Sequence, residues 1–369
     1  MAALLPFMGL LPEQAAATAG QRVLVLVRLA GGNDGLNTLI PYTDPLYYKL
    51  RPKIAVPRHR VLDIGQGVSL NPYLAALKPS WEAGEMAFIQ GVGYPHTDLS
   101  HFRSCDIWET GTSVGEYSPD GWLAQVMPGY KQGLHGIVIG ESMGPLAGKD
   151  CHAIAMQSPQ VFLSQVNMLD AIPVSRQTPA LAHLTNVQNQ LYNTGQQLSN
   201  KLKRSVPLGV NFATSDIGRD LESVAKMILS GVDAAVYVVT LDGFDTHSGQ
   251  INMQSNLLNR LAGALNSFST SMKKGGRWND VLLVTYSEFG RRVQENHGGG
   301  TDHGSASVQL VMGGKVRGGI YGDAPRLNEL DAGGNLHVTQ DYRAVYGSLA
   351  QNWLRCGNPW SSFGTIPFV

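Results

Sequence analysis

The sequence has no excess of charge of either sign. Its 369 residues include 28 acidic and 28 basic side chains, so no overall field would attract nucleic acid or an anionic lipid surface. It contains neither an internal repeat nor an apolar run of the about 18–20 residues that a membrane-spanning helix requires. With 43% hydrophobic residues, it can bury a large core. We therefore expect a globular protein with no nucleic-acid partner and no membrane span.

Cysteine is scarce, and its spacing does not match a metal or redox motif. Cys105, Cys151 and Cys356 contain no C-x-x-C pair, which argues against a thiolate zinc site or a redox-active disulfide. Two interpretations stay open. Cys105 and Cys151 form a disulfide if the protein is exported, or all three are buried free thiols.

No lysine or arginine precedes Arg22. Residues 1–21 nevertheless have the apolar stretch of an export signal and, at 17–19, the small-residue ending Ala-Thr-Ala. Either the numbered chain starts inside a longer signal, or the segment is an apolar N-terminus without a targeting role. The first alternative predicts a periplasmic or extracellular protein.

Short apolar runs alternate with helical patterns along the chain. Helices are predicted at 181–202, 214–230 and 257–268, where apolar residues recur at helical spacing. Runs apolar on both faces predict buried strands at 23–30, 86–92, 234–241, 281–286 and 308–312. This alternation predicts one α/β domain over residues 22–369, with three α/β/α layers and a mostly parallel sheet. The segment at about 112–210 is predicted to be an excursion or cap.

Carboxylates and imidazoles occur where these strands are expected to end. "GGNDG" follows the first strand, "DGFDTH" the third and "SEFGRR" the fourth, while "HGGGTDHGS" precedes the fifth. In open α/β sheets such loops converge at one edge. A single Asp after a strand is commonly a helix cap, and a lone His is commonly structural. Their joint occurrence at four strand ends favours a divalent cation, Zn, Mn, Mg or Ca.

A dense polar stretch, "GYPHTDLSHFRSCDIWETG", follows the second predicted strand. It predicts a loop leading into a helix with Ser100, His101 and Arg103 near its start. Unpaired backbone N–H groups there favour an anion or a developing alkoxide. Ser100 is therefore either a nucleophile or only the N-cap of the helix.

Eight ordered blocks together resemble the bacterial domain-of-unknown-function 1501 family, over nearly the whole chain from residue 22. They are "GGNDGLNTLIPY", "YYKLRP", "GVGYPHTDLSHFRS", "DIWETG", the "GW" at 121–122, "DGFDTH", "SEFGRR" and "GTDHG". Members commonly begin with a twin-arginine export signal. The family in turn resembles the alkaline phosphatase and sulfatase superfamily, whose members hydrolyse or transfer phosphate or sulfate esters at a metal site. The resemblance thus implies an alkaline-phosphatase-like fold.

This second resemblance implies roles for individual residues. Ser100 is the hydroxyl about ten residues before a Thr-Gly pair, with Thr97 second, and His101 is next to it. Glu288 keeps a carboxylate at a position where the superfamily has an Asp-His pair, and Phe289 replaces the imidazole. Arg103 or Arg291 is expected to hold the anionic oxygens of the substrate. The implied metal ligands are Asp34, Asp245, His247, Glu288 and His303.

Two functions are consistent with these patterns. The first is a metal-dependent hydrolase or transferase that acts on small-molecule or polymer-linked phosphate or sulfate esters through a serine nucleophile. In this interpretation Asp34 turns into the cleft as a ligand, and the glycines of "GGNDG" let the backbone approach the ion. The alternative is a non-catalytic exported binding protein on the same scaffold, with at most a structural ion.

Overall fold

The computed structural model describes residues 21–128, 130, 133–168, 179–203 and 206–369. The export-signal-like segment predicted at 1–21 lies outside these residues, apart from Gln21. In the part of the chain that is described, no helix combines the length and the apolar character needed to cross a bilayer. Cys105, Cys151 and Cys356 are free, half-buried thiols.

The described residues form short strands and helices in alternation. The strands are β1 Val23–Ala30, β2 Leu39–Ile40, β3 Leu62–Asp63, β4 Ser69–Leu70, β5 Met86–Gly93, β6 Leu134–Ile139, β7 Ala153–Met156, β8 Ala234–Asp242, β9 Val281–Tyr286, β10 Gly290–Arg291, β11 His303–Gly304, β12 Ser307–Gly313, β13 Gly319–Tyr321 and β14 Gln340–Asp341. The α-helices are α1 Pro45–Leu50, α2 Lys78–Glu82, α3 His101–Thr110, α4 Trp122–Val126, α5 Pro159–Val166, α6 Pro179–Leu202, α7 Asp216–Leu229, α8 Gln250–Lys274 and α9 Tyr342–Ser348.

One nine-stranded sheet forms the centre of the fold. Its strand order is β13-β5-β12-β9-β1-β8-β6-β7, with β14 paired to β5. Within it β12 runs antiparallel to both of its neighbours, β5 and β9, and the other pairs are parallel. The predicted α/β class with a mostly parallel sheet is confirmed. Two strands within the segment predicted as an excursion, β6 and β7, extend this sheet; the division into domains stays a prediction.

Helices cover both faces of the sheet because its central strands are apolar on both sides. Val25 and Val27 of β1 belong to a core cluster that contains the inner faces of α7 and α8. Leu24 and Leu26 belong to a second cluster on the other face, with α3, α4 and α9. All four side chains are buried, and each contributes about 1.5–3 kcal/mol by its removal from water. The predicted three-layer arrangement is confirmed.

One edge of the sheet collects the loops of interest. Ala30 at the end of β1 pairs with Asp242 at the end of β8, and the last residues of β9 pair with β1 as well. Because β12 is antiparallel, its first residue, Ser307, pairs with Val92 near the end of β5. The loops that follow β1, β5, β8 and β9 therefore meet the loop that precedes β12.

Candidate metal centre

Three side chains from distant parts of the chain bring donor atoms together at this edge. His101 is the first residue of α3, Asp245 follows β8 and His303 lies in β11. Their donor atoms all lie within 4.8 Å of one another. Nε2 of His303 is 3.0 Å from Oδ1 of Asp245, and Nε2 of His101 is 3.4 Å from Oδ2. One carboxylate is thus flanked by two imidazoles.

His247 adjoins this group. Its Nε2 lies 3.1 Å from Oδ1 of Asp245 and 3.0 Å from Nε2 of His303. The chain reverses direction between the two residues, since the His247 N–H donates to the carbonyl of Asp245. The predicted pair Asp245-x-His247 therefore presents both side chains to one centre.

The outward nitrogen of each imidazole faces an acceptor. Nδ1 of His303 is 2.8 Å from the carbonyl oxygen of Leu99, and Nδ1 of His101 is 3.0 Å from Oε1 of Glu288. Nδ1 of His247 is 3.4 Å from Oδ1 of Asp302. A carbonyl or carboxylate oxygen can only accept, so each of these rings has an acceptor at both nitrogens, and a neutral imidazole can donate to only one of them. With the proton on Nδ1, the Nε2 lone pair of each ring would be free to bind an ion at the centre. Metal-binding histidines are commonly held in this way.

The centre is open to solvent on one side. The side chains of Asp245 and His247 are each 46% exposed, and that of His101 is 36% exposed. His303 is more enclosed, at 18%. An accessible position beside the ligands is characteristic of catalytic metal sites, whereas structural sites are closed.

Arg291 forms an ion pair with Asp245. Its Nη2 donates to Oδ1 of Asp245 at 2.6 Å. Burial raises the pKa of the Asp245 carboxyl, but neighbouring groups outweigh burial and lower that pKa to about 2, chiefly Arg291 through its hydrogen bond and its charge. The carboxyl is therefore ionised at neutral pH and available to a cation.

The contacts of the two predicted anion-binding arginines revise their expected role. Buried Arg291 also donates to the backbone carbonyls of Gly31, Gly32, Phe244 and Thr301. Arg103 pairs with Asp106 and donates to the carbonyls of residues 113, 114 and 116. These protein partners take up both guanidinium groups, so we assign neither arginine to the substrate.

Glu288 lies behind His101. It is buried, and its Oε1 accepts from the backbone N–H of Gly31 at 2.8 Å as well as facing His101. Phe289 packs against the rings of His101 and His303, with centroids 4.9 and 4.4 Å away. Phe289, which replaces the imidazole expected at this position, thus packs against two histidine rings. Glu288 orients one of them, His101.

Asp34 is not part of the cluster, contrary to the expectation that it turns towards an ion. Its Oδ2 accepts from Arg51 at 2.7 Å and from Gln250, and its Oδ1 accepts from the N–H groups of Leu36 and Asn37. Its side chain is 1% exposed. Asp34 therefore caps the 3₁₀ turn at Gly35–Asn37 and forms a buried ion pair.

The glycine pair before Asp34 allows loops to pack closely. Gly31 and Gly32 have φ angles of 112° and 83°, a region that side chains disfavour. A Cβ at Gly31 would lie 2.3 Å from the backbone nitrogen of Asp245, and one at Gly32 would lie 2.6 Å from the Phe289 ring. The two glycines therefore allow the loop after β1 to pack directly against the loops after β8 and β9.

Ser100 occupies the N-cap position of α3 between two residues that contact the centre. The carbonyl of Leu99 faces His303, and His101 faces Asp245. The Ser100 side chain makes no capping hydrogen bond, and the residue is exposed. By contrast, the hydroxyl of Thr97 donates to the carbonyl of Tyr94. Buried Ser104 fixes this end of α3, because its hydroxyl donates to the Glu288 carbonyl.

Sequence reasoning placed His101 beside the predicted nucleophile and did not propose it as a ligand. The available signal was a histidine on the first helical residue after a strand that ends at the same edge of the sheet. The structure brings together Asp245, His247 and His303 from the predicted set. Glu288 contacts His101, which belongs to the same cluster.

Residues 164–346 match the family model described as "Protein of unknown function (DUF1501)". This match confirms the predicted family resemblance over that segment. No curated protein matches the chain.

Several solved structures resemble this chain at low sequence identity. A protein in the alkaline phosphatase superfamily from Vibrio parahaemolyticus is 12% identical with a TM-score of 0.37, and the match covers 82% of this chain and 63% of that one. The PsFucS1 sulfatase from Pseudoalteromonas sp. is 11% identical, with a TM-score of 0.38 and coverage of 95% and 69%. The phosphonate monoester hydrolase SpPMH from Silicibacter pomeroyi is 10% identical, with a TM-score of 0.41 and coverage of 94% and 76%. Similarity this low carries no conclusion about chemistry, which is inferred from the geometry of the site alone.

Proposed function

We propose that the protein is a metal-dependent hydrolase or transferase of phosphate or sulfate esters. In this proposal His101, Asp245 and His303 bind a divalent ion, with His247 as an adjoining ligand. One observation carries the proposal: three imidazoles have Nδ1 beside an acceptor and Nε2 directed towards the same carboxylate. With the proton on Nδ1 of each ring, three Nε2 lone pairs and a carboxylate would face one another, an arrangement that a bound cation would stabilise.

The charged groups and donor atoms around the centre bear on which cation it would bind. Asp245 lies between the histidines, while Glu288 contacts His101 and Asp302 contacts His247. The guanidinium of Arg291 contacts Asp245. Arg292 and Arg28 also act electrostatically on Asp302 and Glu288, so the protein itself balances part of this negative charge. The nitrogen-rich donor set favours Zn over Mn, Mg and Ca, which prefer oxygen ligands.

Ser100 supplies the nucleophile in this proposal. An ion held by the histidines would polarise the ester and favour the deprotonated form of a nearby hydroxyl. Ser100 is exposed, does not cap α3 and lies between Leu99 and His101. The free N–H groups at the start of the ten-residue helix α3 are suited to the anionic oxygens of the ester.

Elemental analysis together with ester turnover tests the proposal. Purified protein, dialysed without chelator, should retain about one Zn per chain and should hydrolyse p-nitrophenyl phosphate or p-nitrophenyl sulfate. Treatment with EDTA should abolish turnover, and the ion should restore it. Bound metal without turnover of either ester would support the alternative, a binding protein with a structural ion. A protein that binds no divalent ion would contradict the proposed enzyme and would leave a binding protein without an ion.

We also propose that the chain acts in the periplasm or outside the cell. The support is the apolar segment at 1–21 with its Ala-Thr-Ala ending. Fusing that segment to a reporter that is active only after export tests the proposal, and an inactive reporter retained in the cytoplasm would contradict it.

A further inference from the structure

A single buried amide links the loops that carry the predicted ligands. We propose that Asp34 and Gln250 form a clamp that sets the separation of the loop with Asp245 and His247 from the loop with His303. The clamp is a property of the fold itself; its effect on an ion rests on the proposed function. Asp34 and Gln250 are positioning residues in this proposal.

Gln250, the first residue of α8, lies between an anchor and two hydroxyl groups. Its Nε2 donates to Oδ2 of Asp34 at 2.5 Å. Its Oε1 accepts from the hydroxyls of Thr301 at 2.7 Å and Thr246 at 3.2 Å. Gln250 and Thr301 are 0% exposed, and Thr246 and Asp34 are 1% exposed. Water therefore does not compete for these bonds.

Chemistry fixes the orientation of the amide. A carboxylate cannot donate, so the NH₂ group of Gln250 must face Asp34, and its carbonyl oxygen must face the two threonines. Both threonine hydroxyls then share one acceptor. The backbone reinforces the connection, since the N–H of Thr301 donates to the carbonyl of Thr246 at 3.2 Å.

The two threonines lie next to the predicted ligands in the chain, so the clamp can affect the ligands' positions. Thr246 stands between Asp245 and His247, and Thr301 is two residues before His303. A backbone shift at Thr246 or Thr301 would break the bond of that threonine to Oε1 of Gln250. Buried Arg291 contacts the same two loops, at Asp245 and at the carbonyls of Phe244 and Thr301. The clamp therefore acts on both sides of the predicted centre.

Asp34 is a suitable anchor because it is itself immobilised. Arg51, which is 0% exposed, donates to Oδ2 of Asp34 and also to the carbonyls of Arg292 and Val293. Arg292 in turn donates its N–H to the carbonyl of Asp302, the neighbour of His303. Asp34 of "GGNDG" is thus connected to the ligand loops through side chains, and its carboxylate contacts protein groups and not an ion.

The variant Gln250→Met tests the clamp, with Gln254→Met as its matched control. Methionine has nearly the same length as glutamine and removes both polar functions. Gln254 lies one turn later in α8, is 3% exposed and donates to Asn33 and to the Asp34 carbonyl, but not to either ligand loop. Its Oε1 also accepts from Nε2 of Gln250 at 3.3 Å, so Gln254→Met removes one bond of Gln250 but leaves those to Asp34 and the two threonines. Both variants therefore lose a buried amide from the same helix.

Hydrogen exchange on metal-free protein provides the first measurement. We expect Gln250→Met to lose amide protection in peptides covering residues 243–249 and 296–304, and Gln254→Met to keep it there. Equal protection in the two variants would overturn the clamp, whether or not the protein binds metal.

Affinity for Zn²⁺, measured by chelator competition, provides the second. Gln250→Met should raise the dissociation constant about tenfold or more, and Gln254→Met should change it by less than about threefold. If wild-type protein binds Zn²⁺ and Gln250→Met binds it equally well, the clamp is wrong and the proposed function stands. If wild-type protein binds no ion, the proposed function fails and hydrogen exchange alone decides on the clamp.

A second pair of variants keeps the test valid if Gln250→Met does not fold. Thr246→Val and Thr301→Val retain side-chain shape and remove one donor each from Oε1 of Gln250. Each should reduce protection in its own loop, and the double variant should reproduce the exchange pattern expected of Gln250→Met. Unchanged exchange in the double variant would overturn the clamp as well.

Discussion

Oε1 of Glu288 lies 3.0 Å from Nδ1 of His101, although 187 positions separate the two residues. The same oxygen accepts the backbone N–H of Gly31, so this carboxylate joins the loops after β1 and β9 to the start of α3. Glu288 was expected to contact an ion directly. In this structure its Oε1 faces the imidazole of His101, and direct contact of Glu288 with an ion stays a prediction.

Removing the Glu288 carboxylate should weaken metal binding without removing a ligand. We expect Glu288→Leu to raise the dissociation constant for Zn²⁺ by about 10–100-fold, because the His101 ring loses its acceptor. Glu288→Gln keeps an acceptor oxygen and should have a smaller effect. Chelator competition measures both. Equal affinity of Glu288→Leu and wild type would show that Glu288 does not orient His101.

Asp245→Asn should abolish metal binding more completely than any other single change at the centre. It removes the carboxylate that His101, His247 and His303 surround, and a loss of about 100-fold or more is expected. Asp302→Asn is the control, since Asp302 faces the outward nitrogen of His247 and accepts from Asn296. A larger effect of Asp302→Asn than of Asp245→Asn would mean that the centre has been placed on the wrong carboxylate.

The depressed pKa of Asp245 predicts a contribution to stability that disappears in acid. Its pKa of about 2 lies below the usual 3.8, so the contribution is complete above about pH 4 and is lost as the pH falls towards 2. Solvent screening makes it modest, because the side chain is 46% exposed. In EDTA, wild-type protein should lose more free energy of unfolding than Asp245→Asn between about pH 5 and about pH 2.5. Parallel losses in the two proteins would contradict the assignment.

Ser100→Ala should separate chemistry from metal binding. Turnover of p-nitrophenyl esters should fall by about 10³-fold or more if the hydroxyl is the nucleophile. The Zn²⁺ dissociation constant should not change, and the free energy of unfolding should stay within about 0.5 kcal/mol because no capping bond is lost. Thr97→Val is the control for the other hydroxyl in this loop. If Ser100→Ala retains full activity, the nucleophile is another group.

Arg51→Met should destabilise the protein strongly. It leaves the buried Asp34 carboxylate without its cationic partner, and breaking a buried pair costs about 3–5 kcal/mol. The control is Arg326→Met, which removes an exposed pair with Glu329 and should cost within about 0.5 kcal/mol. Urea unfolding measures both. Similar losses would mean that the Asp34–Arg51 pair is not a structural anchor.

The regular elements could be predicted because their residues carry local signals. β1 and β9 begin and end as predicted, at Val23–Ala30 and Val281–Tyr286, because runs of branched aliphatic residues are bounded by polar residues or glycine. The helix predicted at 214–230 forms at Asp216–Leu229, with Ser215 capping its start. The grouping of Asp245, His247 and His303 followed from their places at strand ends. Each strand or helix pattern lies within a few residues of the element it predicts, and the grouping of the three side chains depends on where those strands end.

The partners of buried polar groups could not be predicted in this way. Asp34 has the sequence context of a metal ligand, yet it pairs with Arg51 and Gln250, which lie 17 and 216 positions away. A buried carboxylate requires a compensating positive charge, and that charge is supplied equally well by an ion or by an arginine. Only the packing of the loops decides which of the two is present.

The sequence by itself determined the alternation of strands and helices, the apolar layers on both sides of the sheet and the chemical types gathered near the strand ends. Tertiary structure decided that β12 runs antiparallel between β5 and β9. A parallel β12 would start at the opposite edge of the sheet, and His303 would lie far from Asp245. Strand direction depends on long-range pairing and on the path of the connecting chain, and no residue within β12 encodes it.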